Sequence, residues 1–202
     1  MNRTSDTNSS QEFLSVVREL YGRVVWTQKT HEKDRERWSR WVAGTRWANV
    51  LLVGITSILA TVGAICDSQV IFIITSVFGA VSTGFIVCQL SFNPEKKESE
   101  HRIAAKRLLY LRDQYLILIQ ETMTDSLPLK ELQNRLKALQ REVSVVYEYA
   151  PDSSAQAYTA AGDALKNNEE LTFAPEEIDL LLPEGLRLTA QAPQEEEGNS
   201  TG

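Results

Sequence analysis

Between Trp47 and Phe92 the chain carries one formal charge, Asp67, and it stands close to the midpoint. Trp47 to Cys66 (WANVLLVGITSILATVGAIC) holds no charged residue, and neither does Val70 to Phe92 (VIFIITSVFGAVSTGFIVCQLSF). A helix needs about 20 apolar residues to cross roughly 30 Å of hydrocarbon. Each run reaches that length, and the residues between them leave room only for a tight turn. A core helix of a soluble domain is usually amphipathic, and neither run is. The pattern predicts a transmembrane helical hairpin with both chain ends on one side of the membrane.

Charge decides which side. Lys29, Lys33, Arg35, Arg37, Arg40 and Arg46 precede the first run; Lys96, Lys97, Arg102, Lys106 and Arg107 follow the second. The turn has no Lys or Arg. Basic residues near span ends stay cytoplasmic, so both flanks and both termini are expected there. Trp38, Trp41 and Trp47 gather at the same boundary and are expected to anchor it, because indole rings favour the headgroup level. The first ten residues, MNRTSDTNSS, are polar, so no cleavable signal peptide is expected and the first span serves as its own insertion signal.

The net charge of −6 conceals an uneven layout. Residues 93–112 hold six basic and three acidic groups, whereas 151–202 hold two basic and eleven acidic groups. Basic stretches at the membrane flank are drawn to anionic lipid. No basic face lies away from the membrane, so direct nucleic-acid binding is not expected. Cys66 and Cys88 fall at opposite ends of the hairpin, too far apart for a disulfide.

The remaining sequence reads as helix, with residues 1–10 as a disordered tail. Over 11–46, Phe13, Val17, Leu20, Val24, Thr27 and His31 recur at spacings of four and three, a stripe that fades toward the membrane. Asn93-Pro94 breaks the chain after the second span. A helix over about 95–124 follows, with Ala104, Leu108, Leu111, Tyr115 and Leu118 on one seam. The next, about 128–149, carries Leu129, Leu132, Leu136, Leu139, Val143 and Val146 in unbroken 3-4 spacing. Two accounts fit these stripes: a monomeric bundle, or seams that pair between subunits, toward which the strict 129–146 repeat leans. Asp152-Ser153 is expected to cap a further helix to about 167 within an extension over 151–188. Residues 176–182 are expected to make a helical turn, and 189–202 have the composition of a disordered acidic tail. The expected fold class is therefore an all-α membrane protein, a two-helix transmembrane hairpin with a cytoplasmic helical bundle.

Catalytic chemistry is not evident. There is no CxxC pair, Gly-rich phosphate loop or HExxH motif, so no cofactor, metal or enzymatic activity is expected. His31 and His101 each sit beside a charged run and read as solvated or headgroup-level residues. Glu32, Asp34 and Glu36 alternate with Lys33, Arg35 and Arg37, the texture of a solvated helix face. The hairpin itself is more informative. Thr75, Ser82 and Gln89 share one face of the second span, and Ser76, Ala80, Gly84 and Cys88 its neighbouring face. In the first span Asn49, Thr56 and Gly63 repeat at seven, and Thr56, Ala60 and Ala64 at four. Small residues at spacing four let membrane helices approach closely. Two readings follow: the stripes pack the hairpin closely against itself, with hydroxyls bonding across the contact, or Ser76, Ala80, Gly84, Ala60 and Ala64 pack helices while Thr75, Ser82, Gln89, Asn49 and Thr56 face a water-filled path. Two helices cannot enclose such a path, so it requires a homo-oligomer. No Asp, Glu, Lys or Arg lies inside the spans, which argues against a proton relay.

A charged, Trp-containing helix leads into two spans with a minimal turn. A basic helix beginning PEKKESEHRIAAKRLLYLRDQY and a second cytoplasmic helix follow. Over about 11–150 this layout resembles the SLATT domain, the two-transmembrane effector associated with SMODS nucleotidyltransferases and SLOG sensors. The resemblance implies a bacterial antiviral or conflict system acting at the inner membrane. It implies a hairpin that assembles into a membrane-perturbing pore when a partner signals: a nucleotidyltransferase, a SLOG sensor or a reverse transcriptase encoded nearby. No SLOG-like α/β domain is fused here, so sensing is expected from another protein or from a ligand site on the cytoplasmic helices. The other readings are a membrane-anchored scaffold recruiting partners through its cytoplasmic helices, and a holin-like lysis protein.

The charge layout makes a direct prediction. A reporter active only outside the cytoplasm is expected to be silent when fused at residue 202 and active when inserted near Ser68. Activity at residue 202 would overturn the orientation.

Overall fold

The computed structural model describes residues 3–168 together with 170, 171, 177, 178 and 181, with side chains described from Ser9 onward. Five α-helices follow one another, and no strand occurs among the described residues. The chain divides into two compact units, residues 1–161 and 162–202.

Helix α1 (Arg3–Cys66) runs for 64 residues without interruption. The expected boundary between a helix over 11–46 and a span over 47–66 is thus not a break in the backbone. The sequence explains this: no Pro occurs before position 94 to remove a helical hydrogen bond. Residues 3–10 form the first turns of α1, and residues 1 and 2 lie outside the described residues. Asp67 ends the helix with φ 49°, a left-handed conformation that Asp tolerates. Ser68 is extended, and its N–H donates to the Gly63 carbonyl at 3.3 Å. Helix α2 (Gln69–Phe92) then returns alongside α1.

Asn93 serves two helices. With φ 41° it closes α2, its N–H donating to Gln89 O at 2.9 Å. Its side-chain oxygen accepts from Lys96 N–H at 3.1 Å and so caps α3 (Pro94–Met123). Pro94 fits the first turn, where its missing N–H costs nothing. A turn through Asp125 (φ 47°) leads to α4 (Leu129–Tyr149), and α5 (Ala155–Lys166) follows.

Helix α1 packs antiparallel on α2 and then on α3, and α4 packs on α3. The shared core outside the spans contains Phe13, Val17 and Val24 of α1, Leu108, Leu111, Tyr115 and Leu118 of α3, and Leu132, Leu136 and Val146 of α4. Fully burying a side chain of this kind contributes about 1.5–3 kcal/mol. Leu129, Leu139 and Val143 pack against the same core. The 129–146 stripe that leaned toward pairing between subunits is thus covered within the chain. Outside the core, both long apolar helices turn most of their hydrophobic surface outward, as a span requires.

The cap of α5 differs from expectation. It is Ser154, whose hydroxyl accepts from Ala157 N–H at 3.1 Å, rather than Asp152-Ser153. The reason is tertiary: Ser154 is itself held by Asp34, as described below. In the second unit, Asn167 N–H donates to Asp163 O at 2.9 Å and closes α5. Of the turn expected over 176–182, residues 177, 178 and 181 are described and are helical. The acidic tail expected over 189–202 lies outside the described residues.

Candidate functional site

Two polar features stand out along α1, one inside the spans and one outside them. Within the spans, the less exposed positions include Thr45, Asn49, Leu52, Thr56, Leu59 and Gly63 of α1 and Ile71, Thr75, Phe78, Ser82, Phe85 and Gln89 of α2. Both sets follow the same 4-3-4-3-4 spacing, a seam in which polar and apolar residues alternate. Asn49 Nδ2 donates to Gln89 Oε1 at 2.9 Å, and Gln89 Nε2 donates to Thr45 O at 3.3 Å. This contact fixes the antiparallel register. The less exposed stripes Asn49–Thr56–Gly63 and Thr75–Ser82–Gln89 lie on the facing sides of the hairpin, with Gly63 against Ile71 and Phe72. Near the turn the helices come closest: a Cβ on Gly63 would sit 3.0 Å from Ile71 Cγ2.

The hydroxyls of the spans mostly satisfy themselves. Thr56 donates to Leu52 O at 2.7 Å and Thr75 to Ile71 O at 2.8 Å. Ser57, Thr61, Ser76, Thr83 and Ser91 likewise bond one turn back. Ser82 does not. Its Oγ is buried in the seam and, among the described residues, has no hydrogen-bond partner. A buried hydroxyl without a partner costs about 1–3 kcal/mol.

The small-residue stripe points the other way. Ser76, Ala80, Gly84 and Cys88 are exposed, as are Ala60 and Ala64. A Cβ on Gly84 would meet nothing within 4 Å. These positions take no part in closing the hairpin and lie free on its outside. Of the tryptophans, Trp41 and Trp47 are exposed and Trp38 is half-buried.

Outside the spans, the two histidines depart from the sequence reading. His31 and His101 are 4% and 2% exposed, and their Nδ1 atoms lie 3.0 Å apart. They are neither solvated nor at the headgroups. Sixteen residues separate His31 from Trp47, about 24 Å of helix. Asp34, read as part of a solvated face, is 1% exposed. Its Oδ2 accepts from Ser154 N–H at 2.8 Å and its Oδ1 from the Ser154 hydroxyl at 2.7 Å. Gln28, Lys29 and Thr30 are buried in the same layer, with Lys29 Nζ 3.1 Å from Glu32. Four consecutive buried residues from 28 to 31 cover every side of a helix. At this level α1 is enclosed, by α3 through His101 and by the chain entering α5 through Ser154. Just outside the layer, Trp26 stacks against Tyr158 with ring centroids 5.2 Å apart. The apolar stripe fades here because the packing becomes polar, not because it ends.

Burial holds the His31 pKa down to about 4, the His101 ring adding to the effect and the Asp34 carboxylate opposing it. Burial also lowers the His101 pKa, with Asp34 opposing, Lys97 adding and Glu100 opposing. At neutral pH both rings are uncharged, so one Nδ1 donates to the other. No group of three or more His, Cys, Asp or Glu among the described residues is arranged to hold a metal ion.

These features define an all-α two-span membrane protein with a helical bundle outside the spans. A family model described as SMODS and SLOG-associating 2TM effector domain family 4 matches residues 13–177, and the chain belongs to that family. No curated protein and no solved structure matches it. The match extends past the 11–150 region that the sequence resemblance covered.

The histidine layer predicts a pH dependence. The unfolded chain takes up protons near pH 6.5, the folded chain only nearer 4 for His31. Between these values the unfolded state binds more protons, so stability falls as pH falls. The melting temperature of the detergent-solubilised protein is expected to be steady above about pH 6.5 and to drop toward about pH 5. A His31→Gln, His101→Gln double variant is expected to lose much of that drop; an unchanged drop would show that other groups carry it.

Proposed function

We propose that this chain is the membrane effector of a bacterial conflict system. On this reading it lies in the inner membrane with both termini cytoplasmic, oligomerises, and opens a pore when a partner signals. The family supports the coarse statement of a membrane effector; the pore is our reading of the hairpin. The observation that carries it is Ser82, a buried mid-span hydroxyl with no partner in the closed hairpin.

The mechanism follows from what faces where. In the resting hairpin the polar stripes close on each other. Asn49, Gln89, Thr56, Thr75 and Ser82 are then shielded from lipid. The outward stripe of Ser76, Ala80, Gly84 and Cys88, with Ala60 and Ala64, offers close approach to a neighbouring hairpin. Contacts formed there compensate for opening the seam. Opening breaks the Asn49–Gln89 bond, and side-chain bonds between membrane helices are worth only about 0.6–2 kcal/mol. Ser82 loses no protein bond and gains water. Thr56 and Thr75 keep their backbone bonds. The released polar faces then line a water-filled path between subunits. The trigger comes from an operon partner, a nucleotidyltransferase, a SLOG sensor or a reverse transcriptase, acting on the cytoplasmic bundle.

A specific observation favours the scaffold reading as a second possibility. Ile103 and Tyr110 of α3 and Val145 and Tyr149 of α4 are exposed apolar residues on one side of the bundle. They line two adjoining grooves of about 440 and 380 Å3. A recruited partner would cover them whether or not a pore forms.

Replacing Ser82 with Leu makes the mid-span path apolar, and a narrow apolar ring blocks conduction by dewetting. The variant is expected to insert and oligomerise yet fail to depolarise cells when its partner system is triggered. In a Cys66→Ser, Cys88→Ser background, Ser82→Cys is expected to react with a water-soluble thiol reagent only after activation. Depolarisation equal to the parent, with no labelling, would remove the pore assignment.

Assembly is tested separately. Gly84→Leu places a bulky side chain on the outer face, where a single chain has room for it. Insertion is expected to be normal and cross-linked oligomers to be lost. Oligomers that persist in both Gly84→Leu and Ala80→Leu would exclude this stripe as the interface.

A further inference from the structure

At the basic end of the hairpin lies a groove of about 880 Å3, bordered by Thr45, Phe85 and Gln89 at the end of the seam and by Cys88 of the outer stripe. Its floor is apolar: Phe85, Cys88 and Phe92 of α2 on one side, Trp38 and Trp41 of α1 on the other. Arg37 and Arg40 stand at its outer end. Arg40 Nε donates to Glu36 O at 3.4 Å, and neither guanidinium meets a carboxylate among the described residues. The neighbouring cations differ: Arg46 pairs with Glu95 at 2.7 Å, and Lys96 and Lys97 each pair with Glu100 at 3.7 Å. Phe85 and Phe92 are seven residues apart, so the apolar floor runs about 10 Å along α2 into the span.

We propose that this groove binds an anionic phospholipid of the cytoplasmic leaflet, its phosphate on Arg37 and Arg40 and an acyl chain along Phe85, Cys88 and Phe92. Three properties select this occupant. The groove joins the hydrocarbon level to the headgroup level, as a single amphiphile does. A planar guanidinium donates two parallel N–H bonds to a phosphate, and two unpaired guanidiniums at one mouth call for an anion. Trp38 and Trp41 form the wall at the depth where glycerol backbones lie, and indole rings favour that depth. A zwitterionic lipid would fill the apolar floor but would place its own cation beside the arginines. A free phosphate would satisfy the arginines and leave the floor empty. The inference rests on the two-span fold and on cytoplasmic flanks, not on pore formation.

The test uses the full chain in phosphatidylcholine vesicles, with Trp47→Phe to remove the exposed indole that lies outside the groove. Trp38 and Trp41 report on the groove, and Trp26 lies too far from the membrane to be quenched. A small fraction of phosphatidylglycerol brominated on its acyl chain is compared with the same fraction of brominated phosphatidylcholine. A basic residue at the surface attracts anionic lipid by about 1 kcal/mol, so two give a preference on the order of thirtyfold for the anionic quencher. Arg37→Gln with Arg40→Gln is expected to abolish the preference; both residues are exposed, so folding is retained. Lys96→Gln with Lys97→Gln removes the same charge outside the groove and is expected to leave it intact. Equal quenching by the two lipids, or equal loss in both double variants, would overturn the site. Loss of the preference when inorganic phosphate is added in excess would show a simple anion site and overturn the lipid assignment. None of these outcomes depends on depolarisation, so pore formation stands or falls separately. The reporter fusions test the orientation independently.

Discussion

The pairing of α1 with the two collinear helices α2 and α3 is the contact on which everything else depends. A 64-residue helix has no fold of its own; it needs a partner along its length. The chain supplies one by turning at Asp67 and Ser68 and running back beside it. One seam then passes through two solvents. Outside the membrane it is closed by hydrophobic burial, with Val17, Val24, Leu108 and Tyr115 removed from water. Inside the membrane that force vanishes, because lipid is as apolar as Leu. There the seam relies on close packing at Gly63 and on the Asn49–Gln89 bond. The membrane half is thus the weaker half of a continuous pairing.

The polar layer around His31 lies between those halves. It couples three segments: α1, α3 and the chain leading into α5. Asp34 fixes Ser154, Ser154 caps α5, and His31 meets His101. Buried polar groups of this kind fix register, because a slip of one residue would leave several of them without partners. Ser154, at the start of α5, is thereby tied to α1 about 24 Å of helix rise from the first span.

Much of the fold is legible in the sequence, and the reasons differ by region. The spans follow from length and charge alone. The helices over 94–123 and 129–149 follow from stripes such as Ala104–Leu118 and Leu129–Val146, together with Asn93-Pro94 as the break. What escaped is tertiary. His31 and Asp34 look like solvent residues because their partners lie far along the chain, at His101 and Ser154. No local period reports an enclosure made by three segments. The seam was half legible. Asn49, Thr56 and Gly63, and Thr75, Ser82 and Gln89, show the same period of seven. A two-residue turn at Asp67 and Ser68 brings the two stripes back alongside each other, but which side of each helix faces the other is set by packing that no period reports. Ser76, Ala80, Gly84 and Cys88 are then left for the outside.

Ser82 gives the seam its direction of change. Seven other span hydroxyls bond back to their own helices and are indifferent to what surrounds them. They would sit equally well against lipid, protein or water. Ser82 is not indifferent: in the closed hairpin its hydroxyl is buried and unpartnered. The closed seam therefore carries a cost of about 1–3 kcal/mol, comparable with the Asn49–Gln89 bond that holds it shut at the basic end. The Asn49–Gln89 bond and the close packing at Gly63 favour the closed seam, and the unpartnered Ser82 hydroxyl opposes it. On the function proposed above, contacts on the outer face of α2 or on the bundle would tip that balance. It requires no titratable group inside the membrane.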